Sequence, residues 1–244
     1  RVIVSEIPGT TRDSIDVRFE WTGKRFVAID TAGLRKRKQV KDSIEFYSHS
    51  RTIHAIRRAD VVVLMLDATL SVSNMDKRIA GEVTELAKPC VIAINKWDLA
   101  EEVTPEAFGW YIRKKLRGLS FAPIIFVSAI RGERVFNVVN LAFDLFEQSR
   151  CRIRTGELNR SVAEAYSALR PRIKRNVVPK IYFAAQTGVS PPEIVLFVNK
   201  PALFGNQYRR YIANRLRDTF PFREVPIRLI FRERENIFEK FKGS

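Results

Sequence analysis

The sequence predicts an α/β protein whose first part is an open, mostly parallel sheet and whose second part is a smaller α+β unit. Three observations carry this expectation. Val61–Leu66, Pro89–Ile94 and Ile124–Val127 are short continuous apolar runs, the pattern of strands buried on both faces. Helical stripes accompany them, so strand and helix alternate. Near residue 150 the order of elements changes, and the charge changes with it.

Taken along the chain, Asp16–Trp21 and Arg25–Ile29 flank Gly23 and predict a hairpin. The three apolar runs follow. Phe108, Tyr111, Ile112, Leu116 and Leu119 fall on one helical face, as do Val135, Val138, Leu141, Ala142, Leu145 and Phe146. Ser149–Gly156 is expected to be a linker. Beyond it come a helix over Arg160–Leu169, strands over Lys180–Ala185 and Glu193–Val198, a helix over Asn206–Phe220 and a closing strand over Pro226–Phe231. The last helix sets Tyr208, Tyr211, Ile212 and Leu216 on one face. The expected domains are therefore 1–150 and 151–244.

The chain has 244 residues, a net charge of +16 and 45% hydrophobic residues, enough for ordinary cores and too many for a disordered chain. Lys and Arg exceed Asp and Glu by 5 in residues 1–150 and by 11 in residues 151–244, so the smaller part is the expected partner for polyanions. No apolar run approaches the roughly 18 residues of a membrane span. Two cysteines cannot form a secreted disulfide framework, and the expected location is cytoplasmic. Cys90 reads as core and Cys151 as a linker residue; His49 and His54 lack a ligand cluster at zinc spacing.

Chemistry concentrates where strands end. Asp30-Thr31-Ala32-Gly33, Asn95-Lys96-Trp97-Asp98 and Ser128-Ala129-Ile130 each follow an apolar strand, which places them on the ligand-binding rim of an open α/β sheet. The Asp98 carboxylate can accept two hydrogen bonds from the N–H donors on one edge of guanine, which adenine lacks. Asn95 can bond another edge of the base, the Lys96 stem can cover the ring, and the Ala129 N–H can reach the guanine carbonyl. Asp30 offers an oxygen toward Mg²⁺, and Gly33 lets its N–H approach a terminal phosphate. Pro8-Gly9-Thr10-Thr11-Arg12-Asp13 is a loop with a hydroxyl able to complete the metal shell.

At these residues the chain resembles the translation-factor-like GTPases and, more closely, the Der (EngA) family of bacterial ribosome-assembly GTPases. Pro8–Asp13, Asp30–Gly33 and Asn95–Asp98 match the second GTPase domain of that family, as do Ala59–Val62, Asp67-Ala68-Thr69 and, in the KH-like domain that follows, Val195–Asn199. The resemblance implies a P-loop-NTPase-like G domain over 1–150, without its first strand and phosphate loop, and a KH-like domain over 151–244. The Gly-x-x-x-x-Gly-Lys-Ser/Thr loop does not occur in this sequence, and the chain begins at Arg1 inside family sequence. It reads as part of a longer protein that holds the base-reading half of the site, the family's first GTPase domain also lying outside it.

The same resemblance implies attack of water on the terminal phosphate of GTP, with Thr11 and Asp30 toward Mg²⁺ and Thr10, Thr31, Ala32, Gly33 and Leu34 near the phosphates. Trp97 and Ser128 belong to the base-reading set. Leu34 stands where Ras-like enzymes carry a water-orienting glutamine, which implies a potassium ion near the phosphates. The implied partners are a ribosomal subunit and rRNA, with assembly of the large subunit the leading role. Alternatives are an Era-like small-subunit GTPase and an RNA-binding structural module without nucleotide turnover. Arg35-Lys36-Arg37-Lys38 is a basic run in the expected second switch, and Arg209, Arg210, Arg215 and Arg217 around the last helix are candidate phosphate contacts. Leu203–Tyr208 lacks the Gly-x-x-Gly loop with which KH domains clamp single strands.

Overall fold

The parallel sheet forms because its middle strand has no polar residue to turn outward. In the computed structural model, which describes residues 3–5, 16–29, 52–100, 103–173 and 176–234, every residue from Cys90 to Ile94 is buried. That strand, β5 (Cys90–Asn95), pairs in parallel with β4 (Val62–Asp67) and β6 (Ile124–Phe126), giving the order β4-β5-β6. The Cys90 thiol lies inside it, where burial pushes its pKa up to about 12, so it serves as packing and not as a nucleophile.

The chain divides into two compact units, Arg1–Ala59 and Asp60–Ser244. In the first, β1 (Ile3–Ser5), β2 (Val17–Trp21) and β3 (Lys24–Ala28) form an antiparallel sheet in chain order. The expected hairpin is present, turning through Thr22 and Gly23 at φ of 47° and 76°. Phe19 and Phe26 stack across it at 5.2 Å. A helix, α1, covers 52–58, and its Arg58 reaches Asp16 at 2.5 Å.

The second unit holds the parallel sheet and, beyond it, helices α4 (Val135–Arg150) and α5 (Thr155–Ala168), strands β7 (Ile181–Gly188) and β8 (Glu193–Val198), helix α6 (Asn206–Thr219) and strand β9 (Arg228–Glu233). The sheet order is β7-β8-β9, with β7 antiparallel and β9 parallel to β8. One core runs through both regions: Val91 and Leu145 belong to the same buried cluster as Leu158, Leu196, Ile212 and Phe222. The α/β and α+β parts expected from the sequence are both present.

Two expectations need correction. Ser149–Gly156 is not a free linker: α4 runs to Arg150 and α5 begins at Thr155. Its residues are tied down, with Ser190 N donating to Ser149 O at 2.9 Å and Gln186 bridging Ile153 N and Cys151 O. The helix through Phe108 ends early, α3 covering Pro105–Lys115 before a 3-10 turn at Arg117–Leu119. There Gly118 lies so close to helix α2 (Asn74–Glu85) that an added Cβ would meet the Thr84 hydroxyl at 2.6 Å. Helix α2 itself escaped the apolar-stripe reading, although Ser73 and Asp76 form a reciprocal capping box at its start.

The arginines of α6 differ in their surroundings. Arg209 donates Nε–H to Phe204 O at 3.0 Å and lays its guanidinium 4.4 Å from the Phe231 ring centre. Arg217 sits 4.8 Å over Phe121, and its burial pulls its pKa down. Both are half-buried and hold ring contacts, whereas Arg210 and Arg215 are exposed.

Phe222 is fully buried in the shared core. Phe222→Ala is expected to lower the unfolding free energy by about 3–5 kcal/mol, read as a shifted urea midpoint with an unchanged slope.

Candidate functional site

Where β5 leaves the sheet, its last side chain takes over the bonding that the ladder no longer provides. Asn95 Oδ1 accepts from Ala129 N at 3.0 Å, which ties the end of β5 to the loop after β6. Backbone bonds do the same on either side. Ala68 N donates to Asn95 O at 2.8 Å, and Trp97 N donates to Val127 O at 3.1 Å.

Lys96 then takes a left-handed conformation, φ 62°, which turns the chain sharply into the 3-10 turn Trp97–Leu99. Its Nζ lies 2.5 Å from Asp67 Oδ2, at the end of β4. Asp67 also accepts from Thr69 N at 2.9 Å and Thr69 Oγ1 at 2.7 Å. Burial alone raises the Asp67 carboxyl, but the Lys96 and Thr69 donors outweigh it and leave the group below its ordinary value. The Trp97 ring is held at 4.2 Å from Phe126 and 5.5 Å from Phe108.

Asp98 follows, with its side chain only 7% exposed. The buried Ser128 hydroxyl beside it holds its carboxyl below the usual carboxylate range. Ser128 is fixed in turn: its Oγ accepts from Arg131 N at 3.3 Å, and its backbone exchanges two hydrogen bonds with Glu133. Arg131 Nε stands 3.9 Å from Asp98 Oδ2, while Asp98 Oδ1 is buried and has no hydrogen-bond partner among the described residues. An ionised carboxylate with one orphaned oxygen at a sheet rim is an acceptor prepared for a donor that is not part of the protein.

Asn95, Lys96, Trp97, Asp98, Ser128 and Ala129 are therefore brought together. The details differ from expectation in one respect: the Ala129 N–H is committed to Asn95 and orders the loop. Sequence reasoning did not single out Arg131 or Asp67 as site residues. The available signals were Arg131's place three residues after Ser128 and Asp67's place at the end of β4, on the same rim as Asn95. Thr10, Thr11, Asp30, Thr31, Ala32, Gly33, Leu34, His49 and Arg35–Lys38 lie outside the described residues. Among the described residues no cluster of His, Cys, Asp or Glu could hold a metal ion, and no helix is long and apolar enough to cross a membrane.

Comparison with known proteins gives two family matches. Residues 1–96 match the family described as 50S ribosome-binding GTPase. Residues 152–232 match the KH-domain-like C-terminal domain of EngA bacterial GTPase enzymes. A GTPase Der of Halothermothrix orenii is 45% identical over 236 residues, covering 96% of this chain and 54% of that protein. A GTPase Der of Rhodopirellula baltica is 42% identical over 245 residues, covering 100% of this chain and 54% of that protein. Among solved structures, Era in complex with MgGDPNP and part of 16S ribosomal RNA is similar with a TM-score of 0.44 and 21% identity, over 95% of this chain and 85% of that one. The chain spans about half the length of the curated relatives it matches.

The Lys96–Asp67 pair gives the rim a defined pH dependence. The folded Asp67 carboxyl lies below its ordinary 3.8, so its contribution is present above that value and lost as the pH falls through the lowered one. Lys96→Met is expected to cost about 0.5 kcal/mol at neutral pH, Lys96 being half-exposed, and progressively less as the pH falls below 3.8. Urea denaturation of parent and variant across that range checks it.

Proposed function

The chain belongs to the GTPase Der family, and from that premise we propose that it reads the guanine base of GTP and GDP at the rim formed by Asn95, Asp98 and Ser128. One observation carries the base reading. Asp98 keeps a buried carboxylate oxygen without a partner, in a place where Ser128 holds the carboxyl ionised. Guanine's ring N–H and amino group are two adjacent donors for such a carboxylate, whereas adenine would leave it desolvated and unpaired.

The proposal extends to the whole protein as a GTP-hydrolysing switch that acts on the ribosome, with assembly of the large subunit as its setting and rRNA as a direct partner. The matching ribosome-binding family and the excess of 11 positive charges in residues 151–244 support this. Within it, 1–150 is the G domain and 151–244 the KH-like domain. Thr11 and Asp30 are assigned to Mg²⁺, and Thr10, Thr31, Ala32, Gly33 and Leu34 to the phosphate side, with potassium as a companion ion. Mg²⁺ would neutralise charge on the phosphates. The chain's described residues supply the other half of the work, which is to choose the base and hold it.

The KH-like domain departs from a clamp in a way that shapes its RNA role. Phe204 occupies the segment before α6 and is buried against Phe231, ring centres 5.1 Å apart. A loop plugged into the core by a phenylalanine cannot close on a strand.

Nucleotide competition monitored by ligand-detected NMR tests the base reading. GDP is expected to bind and ADP is not, and Asp98→Asn should shift preference from guanine toward xanthine nucleotides by roughly a hundredfold. Equal binding of ADP and GDP by the parent, or an unchanged preference in the variant, would overturn it.

A further inference from the structure

The sheet β7-β8-β9 has two faces, and α5 and α6 cover only one. Ala184, Ile194, Leu196 and Phe231 point into the shared core. The register puts Phe183, Phe197 and Arg232 in one row across the three strands on the opposite face. Phe183 and Phe197 stack there with ring centres 4.2 Å apart and planes 13° from parallel. The register shift between Ile181 and Phe183 inserts Tyr182 as an extra residue in β7. Arg234, two residues beyond Arg232 and still bonded through its N–H to Val198 O, lays its guanidinium 5.1 Å from the Tyr182 ring centre.

Tyr182 and Phe183 are 45% and 42% exposed. Large rings left this open beside exposed Lys180, Arg232 and Arg234 form a surface that is flat, aromatic and cationic at once. Val195, two residues before Phe197 on the same face, is buried, so the exposed part of this face is the end that carries Tyr182 and Phe183. At the far end Arg228 is already occupied by Glu193 at 3.6 Å. Among the described residues, the cations of this face without a carboxylate partner therefore gather at the aromatic end.

We propose that this open sheet face binds a short single-stranded RNA segment, with bases stacked on Phe183 and Tyr182 and phosphates on Arg232 and Arg234. The inference rests on the RNA-binding part of the function proposed above and deepens it by naming the surface and the form of RNA. Stacking suits single strands because their bases are free to leave one another, whereas duplex bases are already stacked. The arginines favour a polyanion over an uncharged apolar partner. The surface is also separate from α6, whose Arg209 and Arg217 lie over Phe231 and Phe121.

The test uses the full 244-residue chain, a labelled oligouridine and a labelled RNA duplex, followed by fluorescence anisotropy at several salt concentrations. Tyr182→Ala with Phe183→Ala should weaken oligouridine binding roughly fivefold or more while leaving duplex affinity and the salt dependence unchanged. Arg232→Gln should lower the oligouridine salt slope by about one. Phe183→Tyr should retain parent affinity, since it keeps the ring. Thermal melting verifies folding, and if the double variant unfolds, Tyr182→Ser alone must show the selective loss. Unchanged oligouridine affinity in the folded aromatic variants overturns the platform, and with duplex binding intact it leaves the wider RNA reading standing and marks this face for a protein partner. Failure of the parent to bind either RNA overturns the RNA reading itself.

Discussion

Burial of β5 on both faces is the constraint from which the arrangement of Asn95, Asp98 and Ser128 at the sheet rim follows. A strand with five consecutive buried residues cannot slide or tilt without opening its core, each such aliphatic side chain being worth roughly 1.5–3 kcal/mol. Asn95 is thus delivered at a fixed point, the first place along the strand where a side chain escapes full burial. From there the geometry propagates by short bonds. Asn95 sets Ala129, the Val127 carbonyl sets Trp97, and Lys96 turns the chain so that Asp98 enters the same corner as Ser128.

That corner holds a tension that packing does not remove. A buried carboxylate oxygen without a donor is costly, and Arg131, 60% exposed at 3.9 Å, is too solvated to offset it fully. Ser128 helps only one side of the group. The protein thus retains an acceptor whose demand a ligand can meet, which is how binding energy becomes selectivity: a ligand lacking the donors inherits the cost instead of relieving it.

Much of this was legible because it rests on local pattern. Continuous apolar runs mark doubly buried strands whatever surrounds them, and the residues at their ends share a rim by topology alone, so Asn95, Asp98 and Ser128 could be grouped without coordinates. What escaped depends on contacts between distant segments. Helix α3 stops at Lys115, and the turn that follows needs Gly118 to clear Thr84, more than thirty positions earlier in the chain. Arg209 and Arg217 read as surface charges, yet each is placed by a ring elsewhere in the sequence, Phe231 or Phe121. Charge counts give a domain's field and not the duty of any one side chain. The excess of positive charge in residues 151–244 survives as an observation.

The same contacts make the base rim and the C-terminal sheet mechanically one unit. Helix α4 starts at Val135, two residues after Glu133 pairs with Ser128, and ends where Gln148 exchanges bonds of 3.2 Å with both the backbone and the side chain of Glu224. Its 16 residues make a rod of about 24 Å. The rod is anchored along its length, since Leu145 lies fully buried in the core that also holds Phe222 and Ile212. The connection between α4 and α5 is not slack, because Cys151 and Ile153 are bonded to Gln186, and Ser149, near the end of α4, is bonded to Ser190. The Ser128–Glu133 loop and the sheet beyond α5 are therefore joined through one anchored helix.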